Sequence, residues 1–423
     1  MANEFSKEER VAFEDIIEGF EDALVVSKNV TVYRGLSDSE SERASDVIWR
    51  PQPYIMQTYD GTDQTSNFQS ATQLSVPSTL GYEKAAPWTM TATELRDALQ
   101  ENRLGEAAKQ RLASDINVAV SNVAALQGTL VVKRTTASAG FDDLAEADAL
   151  MTEQGVMQFD RYFMYSPRDY NGAASNLAGR ATMTGKVVTA YEKAYVGQLS
   201  NFETFKMNYA YNLAAAAGGA SLTIDTTTAT AQNYVPVSTR TATTGEKSNV
   251  DNRYQTVTIS STTSVAAGDC FTIAGIYACH HITKQSTGQL KTFRVISVDS
   301  STTMTISPPL ITNQGGTDAE AQYQNCIASS ESATAAIVFL NTVLKPANCF
   351  WYKDAIELRP GRYAVPNNAG AAVMRATTEQ GIELVMQKQY DIKTMNTFYR
   401  IDTSFGVTMV QPQMAGIMLF SQT

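Results

Sequence analysis

Residues 268–298 read GDCFTIAGIYACHHITKQSTGQLKTFRVISV and carry the clearest fold signal in the chain. Within them, the runs CFTIAGIYA and KTFRVISV alternate apolar with polar residues, and the turn formers STGQ lie between them. A period of two residues is typical of β-strands, and two such runs around a short turn predict a β-hairpin. The flanking runs YQTVTIS and TMTISPPL repeat the pattern. The segment from Ser221 to about Pro309 is therefore predicted to form a small all-β barrel or sandwich.

The same stretch contains Cys279 followed by His280 and His281, the two histidines of the chain. If residues 276–283 form a strand, successive side chains point to opposite faces, so the two histidines cannot readily bind one ion. Cys279 and His281 would share a face, and with Cys270 they could supply three zinc ligands. The sequence favours the other interpretation, a structural strand pair in a β-rich segment. We therefore expect no metal and no cofactor.

The composition is that of an acidic globular protein. The 423 residues are 43% hydrophobic and 18% charged, with a formal net charge of -10. Proteins that bind duplex DNA normally carry the opposite charge. The cysteines Cys270, Cys279, Cys326 and Cys349 show no C-x-x-C spacing, which indicates reduced, buried side chains. Because neither a signal peptide nor a long apolar run is visible, we expect a cytoplasmic product without membrane contact.

The chain shows near misses to catalytic motifs and no complete one. TGEKS at 244–248 has a glycine and a lysine but lacks the G-x-x-x-x-G-K-[ST] frame of a phosphate-binding loop. The G-x-S-x-G and H-E-x-x-H patterns are also absent. The sequence therefore predicts that the protein is not an enzyme. A carboxylate-based hydrolase stays open as an alternative, because a sequence cannot pair carboxylates across a cleft.

Residues 6–26 have the spacing of an amphipathic helix with a capping box that begins at Ser6. The polar face is acidic and includes Glu14, Asp15 and Glu18. Like charges one turn apart destabilise an isolated helix by about 0.2–0.5 kcal/mol per pair. This face is either an ordinary solvated surface or a docking stripe for a basic partner, and the residues alone leave both interpretations open.

Outside the β-rich segment, the patterns predict an α+β body. Residues 30–85 read as a long extended hairpin arm. A long helix is predicted over 91–127, with a capping box at its start and Gly105 as a candidate break. Helix and strand alternate over 141–180, and strand alternation returns near the C-terminus. The run SATAAIVFLN at 332–341 has a helical texture, so we expect the body to resume there after an inserted domain.

Several long strings resemble the major capsid (coat) proteins of short-tailed phages that infect Salmonella and Shigella. They are SDVIWRPQPYIM, TATELRDAL, NVDNRYQTVTIS, NCFWYKDAIEL and the stretch 268–298. The strings occur in the family's order along nearly the whole chain and are unusual enough to be specific. The resemblance implies a member of this family from a Shigella short-tailed phage. It also implies the capsid fold shared by tailed phages, which is called the Hong Kong 97 fold.

This fold divides the chain into segments with separate structural roles. They are an N-terminal arm (1–35), an extended loop (36–80), a peripheral domain with the spine helix (81–185), a first part of the axial domain (186–221), an inserted β-barrel domain (222–335), a second part of the axial domain (336–375) and C-terminal strands that complete the body (376–423). The inserted domain coincides with the β-rich segment that the composition marks independently.

In this family the function is mechanical. Pentamers and hexamers form a T=7 icosahedral procapsid with scaffolding protein, and DNA then enters the shell through a portal protein. The resemblance implies a virion protein that assembles with its own copies in the host bacterial cytoplasm and contacts the double-stranded DNA weakly and non-specifically. It also implies that the acidic helix binds the basic C-terminal domain of the scaffolding protein, through Glu14, Asp15 and Glu18.

A second implied contact lies in the inserted domain, in the loop before Val250. In relatives this loop is acidic and bridges neighbouring capsomers, whereas its charges here are Arg240, Glu246 and Lys247. A different virion protein, such as a tail component or an adhesin, is a second alternative beside the hydrolase, since Ser/Thr-rich β modules occur there too. The long helix and the single, unrepeated β segment argue against it.

Overall fold

The computed structural model describes residues 7–33, 47–65, 67–68, 70–94, 98–179, 193, 196–217, 222–225, 232–328, 334–365 and 370–423. The chain forms two compact units built from discontinuous segments. Unit 1 comprises Met1–Ile48, Ser78–Ser121 and Ile356–Thr408, and unit 2 comprises Trp49–Pro77, Asn122–Ala355 and Met409–Thr423. The predicted α+β class is confirmed. Within the described ranges, no helix is long and apolar enough to cross a membrane.

The secondary structure is numbered in chain order. The α-helices are α1 (Lys7–Ala23), α2 (Ala98–Gln127), α3 (Phe141–Glu153), α4 (Pro167–Ala178) and α5 (Asp318–Tyr323). The strands of the first half are β1 (Thr31–Val32), β2 (Val47–Pro51), β3 (Ser75–Thr79), β4 (Tyr82–Thr91), β5 (Leu130–Lys133), β6 (Arg161–Tyr165), β7 (Gln198–Leu199), β8 (Phe202–Lys206) and β9 (Asn212–Leu213). Those of the inserted segment are β10 (Thr223–Asp225), β11 (Thr239–Thr241), β12 (Lys247–Asn249), β13 (Gln255–Thr258), β14 (Cys270–Cys279), β15 (Ser286–Val298), β16 (Thr303–Ser307), β17 (Cys326–Ala328) and β18 (Thr334–Phe339). The last are β19 (Lys345–Pro346), β20 (Asn348–Tyr352), β21 (Ile356–Pro360), β22 (Ala372–Thr377), β23 (Glu383–Asp391), β24 (Asn396–Met409) and β25 (Ala415–Leu419).

Unit 1 contains a six-stranded sheet in the order β1-β21-β24-β23-β22, with β4 also paired to β24. The β4–β24 pair is antiparallel along all of β4, and two ring pairs stack across it, Tyr82 on Phe405 and Trp88 on Tyr399. Cross-strand aromatic pairs of this kind stabilise a sheet and fix its register. The strands predicted for the C-terminal segment are confirmed as β23 and β24.

The N-terminal helix and the spine helix α2 approach closely within unit 1. The predicted amphipathic helix is confirmed as α1, which buries Phe13, Ile16 and Phe20, whereas Ser6 lies outside the described residues. A Cβ atom placed on Gly105 would lie 2.7 Å from Ile16 Cδ1, so glycine is what permits this contact. The predicted break at Gly105 is wrong, because α2 runs through it without interruption.

The start of the spine helix also differs from the prediction. Thr91 is the last residue of β4, where it pairs with Asn396, and α2 begins at Ala98. The capping-box bonds nevertheless form, since the Thr91 amide donates to Glu94 Oε2 at 2.9 Å and the Glu94 amide to Thr91 Oγ1 at 3.4 Å. Residues 95–97 lie outside the described residues. The motif therefore marks the turn that follows β4, because sheet pairing holds Thr91 itself.

Unit 2 contains a second six-stranded sheet, in the order β5-β25-β20-β6-β8-β7. Its central strand β6 is buried along its whole length, and Phe163, Phe202 and Phe350 meet in the core beneath α3 and α4. The predicted alternation of helix and strand over 141–180 is confirmed by α3, β6 and α4. The inserted segment lies in the chain between β9 and β19, two short strands that pair with each other in a separate sheet.

The inserted segment forms a curled, barrel-like sheet in the order β10-β18-β14-β15-β16-β13, with β17 paired to β14. A bridge between Ile224 and Ile259 joins β10 to the residue that follows β13, so the two ends of the strand order meet. The interior is apolar and centres on the stacked rings of Phe271 and Phe293. The predicted all-β barrel is confirmed, including the hairpin over 268–298.

One element of the insert was predicted wrongly. The run SATAAIVFLN was expected to be helical, but Thr334–Phe339 is strand β18, paired with both β10 and β14. Burial alternates along it, since Ala335 and Ile337 are buried while Val338 is 53% exposed. A short apolar run does not distinguish a strand from a helix, and here pairing on both edges decided the outcome. The strand continues past the predicted boundary at 335.

Candidate functional site

The Cys279-His280-His281 triplet lies where β14 ends and the hairpin turns. Because β14 stops at Cys279, the expectation that the two histidines occupy opposite faces of a strand is wrong. His280 Nδ1 accepts hydrogen bonds from the backbone amides of Ile282 and Thr283, both at 3.2 Å, and so fixes the turn. The described residues contain no group of three side chains that could hold a metal ion. The triplet therefore shapes the hairpin.

His281 connects this turn to the body of unit 2. Its backbone amide donates to the Gln154 carbonyl at 3.3 Å, and its Nε2 atom is buried without a hydrogen-bond partner. Burial first, and then the charges of Lys291 and Lys284, lower the pKa of His281 to about 3. The imidazole is therefore neutral at pH 7 and serves as a packing group.

Two buried cations on β15 also hold the hairpin to the body. Lys291 is 2% exposed, and its Nζ donates to Gln413 Oε1 at 2.7 Å and to Gln154 Oε1 at 3.3 Å. Burial lowers the pKa of Lys291 to about 8. Arg294 is fully buried and donates to the carbonyls of Ala125 and Leu126 in the last turn of α2. Neither role was predicted from the sequence, where two cations inside a predicted strand were the one available signal.

The predicted scaffold-binding residues lie on α1. Glu14 is exposed, so its carboxylate is free to meet a partner on the surface of unit 1. Asp15 and Glu18 belong to the same helix, but their side chains lie outside the described residues. Positions 14 and 18 are one helical turn apart and therefore share a face. The acidic stripe on α1 therefore stays a prediction, and the positions of Glu14 and Glu18 on one face of the helix are compatible with it.

The predicted inter-capsomer loop is a short hairpin, β11–β12, in which Arg240, Glu246 and Lys247 are all exposed. Its base is held by Asn252, whose Nδ2 donates to the carbonyls of Val237 and Val250 at 2.9 and 3.0 Å. The hairpin therefore projects from a fixed base. Its charges are available to another molecule, with Arg240 and Lys247 on paired strands.

The extended loop exposes several large apolar side chains of unit 2. Strands β2 and β3 form a two-stranded ribbon, and residues 52–74 between them contain no helix or strand where they are described. Tyr54, Met56 and Phe68 are 54%, 70% and 88% exposed. Large exposed apolar side chains in one segment typically mark a protein–protein contact. This loop is the strongest candidate for contact with another copy of the chain.

Comparison with known proteins finds one matching family model and several similar solved structures. The family model "P22 coat protein - gene protein 5" matches residues 1–421. The solved CUS-3 coat protein I-domain is 35% identical, covers 30% of this chain and 99% of its own, and has a TM-score of 0.22. The capsid of the cyanophage P-SCSP1u is 12% identical over 95% of this chain and 89% of its own, with a TM-score of 0.46. The structure titled Mycobacterium phage Che8 is 9% identical over 93% and 90%, with a TM-score of 0.45.

Proposed function

Because this chain belongs to the P22 coat protein family and is a major capsid protein of an icosahedral shell, we propose that it assembles with a scaffolding protein into a procapsid. The procapsid then becomes the mature shell around double-stranded DNA. The observation that carries this proposal is the family match over residues 1–421. Assembly takes place in the host bacterial cytoplasm, and a portal protein admits the DNA. The family indicates a structural role, so neither a tail component nor a hydrolase gains support.

Contact between copies is proposed to use the extended loop. The side chains of Tyr54, Met56 and Phe68 are exposed in the single subunit, so they can be covered by a second copy. A second copy that covered them would remove apolar surface from water, which stabilises association by about 25 cal/mol per Å² before the entropy of association is subtracted. The same kind of contact, repeated through a lattice, accounts for a closed shell without any single strong interface.

The hairpin β11–β12 is proposed as a second contact, between neighbouring capsomers. Arg240 and Lys247 are cationic and Glu246 is anionic, so a hairpin that meets a symmetry-related copy can pair opposite charges. Exposed ion pairs contribute about 0–1 kcal/mol each, so this contact orients subunits more than it holds them together. The packaged DNA is proposed to touch the shell weakly and non-specifically, in keeping with the net charge of -10.

The scaffolding protein is proposed to bind α1 through Glu14, Asp15 and Glu18. A basic partner domain would be attracted to this stripe, and reversing its charges would repel it. We expect the double variant Glu14→Lys/Asp15→Lys to remain a folded monomer but to lose co-assembly with scaffolding protein. The measurement is light scattering of purified coat protein mixed with scaffolding protein, with circular dichroism as the test of folding.

The matched control is Glu106→Lys/Glu153→Lys, which changes the net charge equally at exposed positions on α2 and α3. We expect the control to co-assemble like the wild type at the same ionic strength. Normal co-assembly of the Glu14→Lys/Asp15→Lys variant would contradict the assignment of the stripe. Loss of assembly in both double variants would show that net charge alone is responsible.

A further inference from the structure

The returning half of the extended loop lies along helix α5 of the inserted domain. The Thr72 amide donates to Gln322 Oε1 at 3.0 Å, and the Tyr323 hydroxyl donates to the Thr72 carbonyl at 2.8 Å. Two consecutive side chains of α5 therefore form hydrogen bonds with the backbone amide and the backbone carbonyl of Thr72. The Ser70 amide also points at α5, with Asp318 Oδ2 at 3.4 Å. The contact is a short, directional set of hydrogen bonds to the backbone of the loop.

Helix α5 is itself fixed inside the insert. It begins with a capping box in which the Thr317 amide donates to Glu320 Oε2 at 2.9 Å, and Glu320 is fully buried. Asn233 Nδ2 donates to the other oxygen of Glu320. Just after the helix, Asn325 is fully buried and donates from Nδ2 to the Pro309 carbonyl at 2.8 Å. Since these bonds hold both ends of the helix, we expect Gln322 and Tyr323 to keep their orientation when the loop is not bound.

Gln322 accepts a hydrogen bond from the loop, while its own amide nitrogen is left without a hydrogen-bond partner. The residue is 5% exposed, its Oε1 accepts from the loop, and its Nε2 is buried without a hydrogen-bond partner. Buried polar groups are nearly always paired, so an unpaired buried donor calls for an explanation. Tyr323 is partly buried, and this burial raises the pKa of its hydroxyl, which keeps the proton that it donates to Thr72. Both side chains are thus set to hold the loop.

The returning half of the loop, residues 70–74, is also hydrogen-bonded to the outgoing half, which begins at Gln52. The Gln52 amide donates to the Leu74 carbonyl at 2.8 Å, and Leu74 is buried. Further along, a cleft of about 460 Å³ is lined by residues 55–59 and Phe68 of the loop together with Asp318 and Gln322 of α5. The exposed apolar part of the loop is therefore positioned against the same helix.

We propose that helix α5 clamps the extended loop, with Gln322 and Tyr323 as positioning residues, so that the inserted domain sets the direction in which the loop meets the next subunit. The clamp is a property of the isolated subunit. Its effect on shell geometry rests on the proposed function. A loop released from α5 keeps its apolar side chains but samples more directions, so contacts form with less regular geometry.

Hydrogen–deuterium exchange of the monomer tests the clamp without assembly. In Gln322→Met the acceptor for the Thr72 amide is lost at similar side-chain volume, and we expect exchange at Thr72 to rise by about tenfold or more. Gln322→Glu keeps an acceptor oxygen and should retain the protection. Tyr323→Phe should accelerate exchange across residues 72–74.

The control Tyr234→Phe removes a hydroxyl bonded to Asn252 within the insert and should leave the loop unchanged. Wild-type exchange at Thr72 in both Gln322→Met and Tyr323→Phe would overturn the clamp.

Electron microscopy of shells made with scaffolding protein tests the assembly step. We expect the double variant Gln322→Met/Tyr323→Phe to give shells of mixed size and open sheets, whereas Tyr234→Phe gives uniform shells. Uniform shells from a double variant with raised exchange would overturn the control of geometry by the insert. Failure of the wild type to form any shell would overturn the proposed function and this step with it, while the exchange result would still decide the clamp.

Discussion

Arg294 places a guanidinium group at the carboxyl end of the spine helix α2, where it donates to the carbonyls of Ala125 and Leu126. The last turn of any helix leaves carbonyls without intrahelical partners, and the helix dipole favours a cation there. Arg294 is fully buried, so water cannot replace its hydrogen bonds. One residue of the insert therefore completes the end of the longest helix described.

Replacing Arg294 tests how much this contact stabilises unit 2. Arg294→Met keeps much of the volume but leaves buried carbonyls unpaired, so we expect the free energy of unfolding to fall by about 2–4 kcal/mol. Urea titration of the monomer measures it. The control Arg111→Met removes an exposed arginine paired with Asp115, and its effect should stay below about 0.5 kcal/mol. Equal effects of the two substitutions would contradict a stabilising cap.

The role of Arg294 could not have been predicted from the sequence, and neither could that of Lys291. The alternation in KTFRVISV correctly predicts a strand. It carries no information about partners that lie 168 positions away for Arg294 and 137 for Lys291. The acidic residues of α1 are the opposite case, because a surface stripe depends on helical spacing alone, which the sequence contains.

At the scale of elements, the β14–β15 hairpin is held at its turn by His280 and against the body by His281, Lys291 and Thr292. Thr292 Oγ1 donates to the Thr129 carbonyl at 2.6 Å, beside the bonds that Lys291 makes. The hairpin thus provides both a strand pair of the barrel and the attachment of the barrel to its own unit. Its histidines, which first suggested metal chemistry, contribute to that attachment.

The attachment makes the stability of the hairpin depend on pH. The folded pKa of His281 is lowered from 6.5 to about 3, first by burial and then by nearby lysines. As the pH falls below 6.5, the unfolded chain binds a proton at His281 while the folded chain does not, so stability decreases. We expect the wild type to lose about 1 kcal/mol more per pH unit than His281→Gln between pH 6 and 4. Chemical denaturation at each pH measures this difference, and parallel pH profiles would contradict a His281 side chain that stays neutral in the folded protein.

Elements whose structure depends on residues nearby in the sequence were predicted well, and elements that depend on distant pairing partners were not. Helices α1, α3 and α4 follow from local periodicity and were predicted. Strand β18 was misread because ATAAIVFL suits either a helix or a strand until β10 and β14 pair with it. The start of α2 was placed too early because the pairing of Thr91 with Asn396 joins residues that are distant in the sequence.

At the scale of the whole molecule, the sequence revealed the inserted barrel but not the two units. The barrel differs from its surroundings in composition and periodicity, since short Ser/Thr-rich strands replace helices. This contrast can be detected in the sequence itself. The units are discontinuous and are defined by pairings such as β4 with β24, which no local pattern reports. The predicted domain boundaries, the host and the contacts between capsomers stay predictions.

The central claim is that this chain builds a closed shell, and the most direct test is its assembly product. The full-length protein is co-expressed with a scaffolding protein of its family, and the particles are purified and imaged by electron microscopy. We predict closed shells of one diameter with T=7 geometry, whose subunits overlap through the extended loop. Monomers or small oligomers alone, obtained with folded coat protein and active scaffolding protein, would contradict the account.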